Sequence, residues 1–182
     1  MSEFAALDRA TTPLVRRKIA DLNFDAGAVR AAGMPLVLDT NTIVAALKGK
    51  LPPPVRALVA LSRALASSVV AGEIKQRFHN LDPKDPRTRD VRARIGLVLE
   101  EMSRIEALVP THDDWRLANA VLASLGRRAK FDRVRRRALL ADALIHVSAR
   151  HAGACVVTAN TRDFDYLEQA LPGGRVLYFA AG

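Results

Sequence analysis

A short apolar run, Pro35-Leu36-Val37-Leu38, leads directly into the polar residues Asp39-Thr40-Asn41. The run does not alternate polar with apolar residues, which is typical of a strand whose two faces are both covered. An acid at the carboxyl end of such a strand lies where open parallel sheets bind their ligands. The segment therefore predicts a buried parallel strand that ends in a functional carboxylate, Asp39.

Further apolar runs predict the rest of the sheet. They are Ser67-Ser68-Val69-Val70, Ala154-Cys155-Val156-Val157 and Val176-Leu177-Tyr178-Phe179, with a very short additional strand at Val109. Segments of helical periodicity lie between them, and the clearest has an apolar face made of Val91, Ile95, Val98, Met102 and Ile105. Alternating strands and helices predict an α/β fold, a three-layer α/β/α sandwich with a central parallel sheet of four or five strands.

Helix boundaries come from capping signals. Thr111-His112-Asp113-Asp114 predicts a capping box that opens a helix, and Gly126 is expected to end it. A last long helix is predicted from after Phe131 to about His151. We assign residues 34–182 to one main domain. Residues 1–33 form an amino-terminal extension, partly helical, in which Leu14, Ile19 and Leu22 are expected to lie on a short helix that docks onto that domain.

The composition predicts a cytoplasmic protein without a membrane anchor. The chain has 182 residues, of which 49% are hydrophobic, which is enough for the core of one domain. Its one cysteine, Cys155, permits neither an intramolecular disulfide nor a cysteine-rich zinc site, and favours a reducing compartment. We find no signal peptide pattern at the start of the chain and no apolar run of membrane-spanning length.

The positive charge of the chain favours a partner that carries phosphates. The net charge is +9, and the bases concentrate in residues 126–137, which we call the arginine-rich segment. The bases of this segment that we predict to contact nucleic acid are Arg127, Arg128, Lys130, Arg133, Arg135, Arg136 and Arg137. A solvated helix face, or a surface that docks an acidic protein, remains an alternative.

Acids elsewhere in the chain complete a candidate site with Asp39. Glu73 follows the second apolar run, Asp163 lies after the third, and Asp142 interrupts an otherwise apolar helix, where a carboxylate is out of place unless it faces a polar cleft. Because neighbouring carboxylates repel each other, a cation is expected among them. Oxygen ligands without cysteine or paired histidine favour Mg²⁺ or Mn²⁺. Such an ion activates water for phosphodiester hydrolysis.

Each residue also has a purely structural interpretation. Asp39 and Asp163 could cap a helix or a turn, and Glu73 could pair with a neighbouring base on a surface helix. His146 is expected to be a hydrogen-bonded structural residue, and Trp115 is assigned to the core.

The candidate acids lie in four motifs. These are Leu38-Asp39-Thr40-Asn41, Ser68-Val69-Val70-Ala71-Gly72-Glu73-Ile74, Asp142-Ala143-Leu144-Ile145 and Val157-Thr158-Ala159-Asn160-Thr161-Arg162-Asp163-Phe164. In order and spacing they resemble the four acidic motifs of PIN-domain nucleases, over roughly residues 35–179. Among PIN proteins the chain is most similar to the toxins of VapBC-type toxin-antitoxin pairs.

The resemblance implies a Mg²⁺-dependent endoribonuclease, with Mn²⁺ as the alternative ion, that forms a homodimer and has an inhibitory antitoxin partner. The catalytic and metal-binding acids that it implies are Asp39, Glu73, Asp142 and Asp163, with Asn41, Thr158, Asn160 and Asp165 as supporting polar residues. Two alternatives stay open: a PIN-like module that binds RNA or protein without cutting, and a nuclease that acts on DNA.

Overall fold

Five parallel strands form the centre of the molecule in the computed structural model, which describes residues 3–180. The strands are β1 (Leu36–Leu38), β2 (Ala64–Ser67), β3 (Ala107–Leu108), β4 (Cys155–Thr158) and β5 (Arg175–Tyr178). Their order across the sheet is β3-β2-β1-β4-β5, and every neighbouring pair is parallel. The predicted α/β/α sandwich with a parallel sheet of four or five strands is confirmed.

Helices cover both faces of this sheet. They are α1 (Glu3–Arg9), α2 (Ala26–Ala31), α3 (Thr40–Leu47), α4 (Pro53–Leu61), α5 (Ser68–Asn80), α6 (Arg89–Arg104), α7 (His112–Arg128), α8 (Arg133–Ala138), α9 (Leu140–His151) and α10 (Thr161–Ala170). No helix within residues 3–180 is both long enough and apolar enough to cross a lipid bilayer.

Alternate strand residues belong to two separate hydrophobic clusters. Val37 and Val156 pack into a large cluster with α5, α7, α9 and α10, whereas Leu36 and Val157 face the other way, into a smaller cluster with α2 and α4. Successive side chains of a strand point to opposite faces of the sheet. The unbroken apolar runs therefore reflect burial on both faces.

The second apolar run does not form the strand that the sequence predicted. Strand β2 ends at Ser67, and both Val69 and Val70 lie in α5. The Ser67 hydroxyl accepts a hydrogen bond from the backbone N–H of Val70 (3.4 Å) and so caps α5 at this point. A short apolar run cannot distinguish a buried strand from a buried helix start, which explains the error. The extra strand predicted at Val109 is β3, which ends just before that residue.

Helix boundaries were predicted with mixed success. The capping box at the start of α7 is confirmed, because Thr111 and Asp114 satisfy each other's backbone N–H groups. Gly126 does not end α7, which continues to Arg128. At Gly126 a Cβ atom would lie 3.2 Å from the Arg136 side chain, so the glycine permits a close approach instead. The predicted last long helix is two helices, because Asp132 caps the separate helix α8.

The amino-terminal extension packs against the main domain. Leu22 is buried as predicted, whereas Ile19 is 62% exposed, contrary to the prediction. The short helix predicted through these residues is also absent, since only Ile19–Asp21 form a single 3₁₀ turn and Leu14 is not helical. Backbone hydrogen bonds join Leu14 N–H to Arg128 O (3.0 Å) and Tyr178 N–H to Asn23 O (2.8 Å). The extension therefore contributes to the same core as the domain.

Candidate active site

Asp39 caps α3 from the end of β1. Its Oδ1 accepts the backbone N–H of Thr40 (2.7 Å), and its Oδ2 accepts the Thr158 hydroxyl (2.7 Å) and the Asn41 amide. Burial raises the pKa of Asp39 above its ordinary value, more than these hydrogen bonds lower it, and the charge of Glu73 raises it further. Asp39 is thus both a helix cap and a member of an acidic environment.

Asn41 ties α3 to the end of β4. Its Nδ2 donates to Thr158 Oγ1 (3.1 Å), and its Oδ1 accepts the backbone N–H of Ala159 (2.8 Å). The parallel register between β1 and β4 makes this possible, because it pairs Leu38 with Val157 and brings the two strand ends side by side. Asn41 and Thr158 together fix the orientation of the Asp39 carboxylate.

Glu73 reaches the same strand end from α5. The sequence placed it after a strand, but it lies in the second turn of α5, and its Oε2 accepts a hydrogen bond from the Thr40 hydroxyl. Thr40, which the sequence interpretation did not select, is the link between Glu73 and the Asp39 motif. Its position inside the motif Leu38-Asp39-Thr40-Asn41 was the available signal.

Asn160 joins the other two acids. Its Nδ2 donates both to Asp142 Oδ2 (3.2 Å) and to Asp163 Oδ2 (3.1 Å), while its own N–H donates to Thr158 Oγ1 (2.9 Å). Asn160 also caps α10, since its Oδ1 accepts the backbone N–H of Asp163 (3.2 Å). One amide therefore holds acids from two helices near the end of β4.

The electrostatics show that the candidate acids share one environment. Burial raises the pKa of Asp142 to about 8, and the charges of Asp39, Asp163 and Glu73 contribute to the rise. We call these four residues the acid cluster. Because one member resists ionisation at neutral pH, the cluster does not carry its full negative charge unless a cation enters.

The acid cluster has the donor type that a hard divalent cation prefers, because all its donors are carboxylate oxygens. Within residues 3–180, however, no three side chains of the metal-binding types converge closely enough to hold an ion. Arg135 donates instead from Nη2 to Asp163 Oδ1 (2.8 Å). The acids are gathered, and one of them is held by an arginine of the same chain.

Asp165, predicted as a supporting residue, lies outside the acid cluster. Its side chain is fully buried and accepts hydrogen bonds from the backbone N–H of Arg17 (2.8 Å), from the Arg17 guanidinium and from Gln169 (3.1 Å). Arg17 belongs to the amino-terminal extension and also bonds to Glu168 (2.6 Å). Asp165 therefore attaches the extension to α10.

The bases of the arginine-rich segment make different contacts. Arg127 and Arg128 donate to the backbone oxygens of Leu7 (2.9 Å) and Thr12 (2.8 Å), and so bind the extension. Arg136 packs against Gly126, while Arg135 reaches the acid cluster. The bases of the segment that remain exposed besides Arg127 are Lys130, Arg133 and Arg137.

The aromatic and histidine predictions have different outcomes. Trp115, assigned to the core, is 45% exposed and lines a cleft with Val109 and Arg137, so that prediction was wrong. The prediction for His146 is confirmed: it is buried, with its Nε2 3.2 Å from the backbone oxygen of Leu171. Burial lowers the pKa of His146 to about 4, which keeps the ring neutral.

The chain resembles a known protein family and several solved structures. Residues 36–169 match the PIN domain. No curated protein matches the chain. The DNA-bound VapBC structure from Salmonella typhimurium is 26% identical, with a TM-score of 0.56 over 79% of this chain and 96% of that chain.

Two more distant structures support the fold alone. VapBC2 from Rickettsia felis, bound to a promoter DNA fragment, is 18% identical, with a TM-score of 0.57 over 80% of this chain and 99% of that one. VapBC-5 from Mycobacterium tuberculosis, described as a toxin-antitoxin system, is 21% identical, with a TM-score of 0.53 over 80% and 99% of the two chains.

Proposed function

Because the chain belongs to the PIN domain family, we propose that it is a metal-dependent endoribonuclease and the toxin of a toxin-antitoxin pair. The observation that carries this proposal is the acid cluster. Its carboxylates come from four separate parts of the chain, and the charges of three of them reach Asp142. A protein gains no stability from gathering acids in this way, which favours a role in binding a cation.

In this proposal the acid cluster holds Mg²⁺ or Mn²⁺. A bound ion of this kind supplies an activated water and positive charge for phosphodiester hydrolysis. Asn41 and Thr158 orient the Asp39 carboxylate, and Asn160 orients Asp142 and Asp163. An entering ion would still have to draw these oriented carboxylates closer together. Hydrogen bonds that orient metal ligands in this way contribute strongly to metal affinity.

The substrate that we propose is RNA. The net charge of +9 favours a polyanion, and the exposed bases Lys130, Arg133 and Arg137 lie in the segment that leads from α7 to the helix of Asp142. Basic residues outside an acidic notch can collect a phosphate backbone while the notch itself binds the cation.

A protein partner completes the proposal. The similar structures include VapBC complexes, and one of them is described as a toxin-antitoxin system. Large apolar side chains stay exposed on the helical surface, among them Leu61 and Leu97 at 64% and 67%. Such side chains are the kind of surface that a partner protein covers. We propose an antitoxin as one partner and a second copy of this chain as another.

Cleavage of RNA in defined metal conditions tests the enzymatic proposal. Purified protein is incubated with a panel of RNAs in Mg²⁺, in Mn²⁺ and in a chelator, beside Asp39→Asn protein. We expect cleavage that needs the ion, and a loss of about 100- to 1,000-fold in kcat for the variant, the range seen when one electrostatic contribution to a transition state is removed. Cleavage that survives chelation or the substitution would overturn the assignment. Matched DNA strands separate an RNA nuclease from a DNA nuclease.

A non-catalytic binding module is the second candidate, and the ion pair between Arg135 and Asp163 favours it. In such a module this arginine would occupy Asp163 permanently. The binding-module candidate predicts that RNA stays intact under every metal condition and that its binding depends on salt. Binding of Mn²⁺ to the isolated protein, measured by calorimetry, separates the two candidates before any RNA is added.

A further inference from the structure

Arg135 reaches into the acid cluster from the short helix α8. Its Nη2 lies 2.8 Å from Asp163 Oδ1, and the two side chains are only 27% and 24% exposed. Asn160 binds the other oxygen of Asp163 and also Asp142, so Arg135 is one hydrogen-bonded step from the centre of the cluster. The guanidinium therefore supplies a positive charge to Asp163 and leaves the other members of the cluster without one.

Aromatic packing holds Arg135 in this place. Its Cζ lies 4.2 Å from the centroid of the Phe131 ring, and Phe131 packs edge to face against Tyr166 at 4.9 Å between centroids. A cation over an aromatic face is attracted to it, and the attraction grows when water is excluded. The guanidinium thus has a support besides Asp163, and this support keeps it near the acid cluster when its acceptor changes.

The hydrogen bonds of Arg135 are incomplete. Its Nε is buried and has no partner within the described residues. A buried donor of a charged group that lacks an acceptor is costly, so a shift of the side chain that gives Nε an acceptor is favourable. A phosphate group is a suitable acceptor for the shifted side chain, because it offers several anionic oxygens to the planar fork of a guanidinium.

Arg135 also competes with a metal ion. A divalent cation at the acid cluster needs oxygen atoms of Asp163, and it repels a guanidinium at the same carboxylate. Since a guanidinium binds carboxylates and phosphates with the same donor geometry, it can exchange one for the other.

We propose that Arg135 is a positioning residue for the RNA backbone: it holds Asp163 in the metal-free protein and transfers to a phosphate oxygen of the RNA when a cation takes Asp163. This inference rests on the proposed function and adds a specific role for one residue. It explains how one chain can combine a gathered acid cluster with an arginine inside it.

The test compares R135M and R135K with wild type, and uses R104M as a matched control. Arg104 also pairs with a carboxylate, Glu100, but on the exposed surface of α6. Mn²⁺ binding is measured by calorimetry without RNA, and kcat and KM for RNA cleavage are measured at saturating Mn²⁺. Circular dichroism of each variant establishes that it is folded, and R135K retains the charge and most of the packing if R135M does not fold.

We expect Mn²⁺ to bind R135M about tenfold more tightly than wild type, because a competing charge next to the ligands is gone. We expect KM for RNA to rise about tenfold in R135M, because a charged hydrogen bond to the substrate is lost. R135K should raise KM but leave Mn²⁺ affinity near that of wild type, since it keeps the charge and loses the fork. R104M should change neither quantity.

These opposite shifts separate the inference from a structural role, which would weaken metal and RNA binding together. If wild type binds Mn²⁺ and cleaves RNA, but R135M resembles R104M in either quantity, the role of Arg135 is overturned and the proposed function stands. If wild type neither binds Mn²⁺ nor cleaves RNA, both are overturned.

Discussion

Two carboxylates of this protein have opposite surroundings. Asp165 is completely buried and meets the Arg17 guanidinium, a backbone N–H and an amide, all of which stabilise its negative charge. Asp142 is half-buried and accepts a hydrogen bond from one amide, and its pKa rises to about 8 because of burial and of the negative charges of three other acids. The surroundings of Asp165 compensate its negative charge, whereas those of Asp142 do not.

The difference distinguishes stability from function. The contacts of Asp165 attach the amino-terminal extension to α10, and Glu168 extends them to Tyr178 in β5. The contacts of Asp142 join no such network of opposite charges. Unfavourable interactions that a folded protein retains at one place, such as a buried acid without a positive partner, tend to mark functional sites. We therefore expect substitutions at the two sites to have opposite effects on stability.

The largest effect is expected at the extension. Replacement of Arg17 by Met should lower the free energy of unfolding by about 3 kcal/mol, near the lower end for breaking a buried ion pair, because Gln169 and the Arg17 backbone still donate to Asp165. Urea unfolding monitored by circular dichroism measures the change. Arg16→Met is the control, since Arg16 is exposed and within residues 3–180 donates only to Thr161 (3.3 Å), and should cost less than about 0.5 kcal/mol. Equal losses in the two variants would show that the Asp165 site does not hold the extension.

The sequence predicted one of these two sites much better than the other. Asp39 and Asp163 follow apolar runs closely, and Asp142 interrupts an apolar helix, so each could be selected from its immediate neighbours. The ion pair between Arg17 and Asp165 spans 148 residues and leaves no local pattern. The same holds for Arg135, whose 28-residue separation from Asp163 placed it among undifferentiated bases.

The fold was predictable because most of its strands are covered on both faces. Residues such as Leu36, Val37 and Val156 form continuous apolar runs with a clear acid or turn at the end. The failure at Val69 and Val70 has a physical cause, since the hydroxyl of Ser67 ends the strand and starts α5 inside one apolar run. Capping by a single serine competes with strand propensity there, and the sequence does not show which prevails.

A divalent cation should stabilise the acid cluster site and not the extension. At a Mn²⁺ concentration 100 times its dissociation constant, we expect the free energy of unfolding to rise by about 2.7 kcal/mol in wild type. Arg17→Met should keep this increment, whereas Asp142→Asn should lose most of it. Thermal unfolding in Mn²⁺ and in chelator measures the difference. An increment that survives Asp142→Asn would place the ion elsewhere.

Without metal, Asp142→Asn should increase stability. Since burial and three acids raise the pKa of Asp142 in the folded protein, the folded state binds more protons than the unfolded state between about pH 4 and pH 8. Wild-type stability should therefore fall as pH rises through this window, and the variant should lack this loss. Even one pKa unit corresponds to about 1.4 kcal/mol, so at pH 8.5 the variant should unfold at a temperature higher by roughly 3 °C or more.

The control for this prediction is Asp165→Asn, which removes a satisfied charge and should destabilise the metal-free protein. Thermal scans at pH 5.5 and pH 8.5 in chelator cover both variants. A wild type whose stability does not fall between these pH values, or an Asp142→Asn variant that is less stable than wild type at pH 8.5, would contradict the assignment of Asp142 as an uncompensated acid.

The smallest effect concerns the arginine-rich segment, which connects the two sites. Arg128 donates to Thr12 of the extension, while Arg137 is exposed beside the cleft that contains Trp115. If Arg137 contacts one phosphate of single-stranded RNA, Arg137→Met should reduce the slope of log affinity against log salt by about 0.7. Arg128→Met should leave that slope unchanged and lower stability instead. Fluorescence anisotropy at several salt concentrations measures the slopes. If the slope changes in Arg128→Met and not in Arg137→Met, RNA binds on the side of the extension, and the separation between a stabilising region and a substrate-binding region fails.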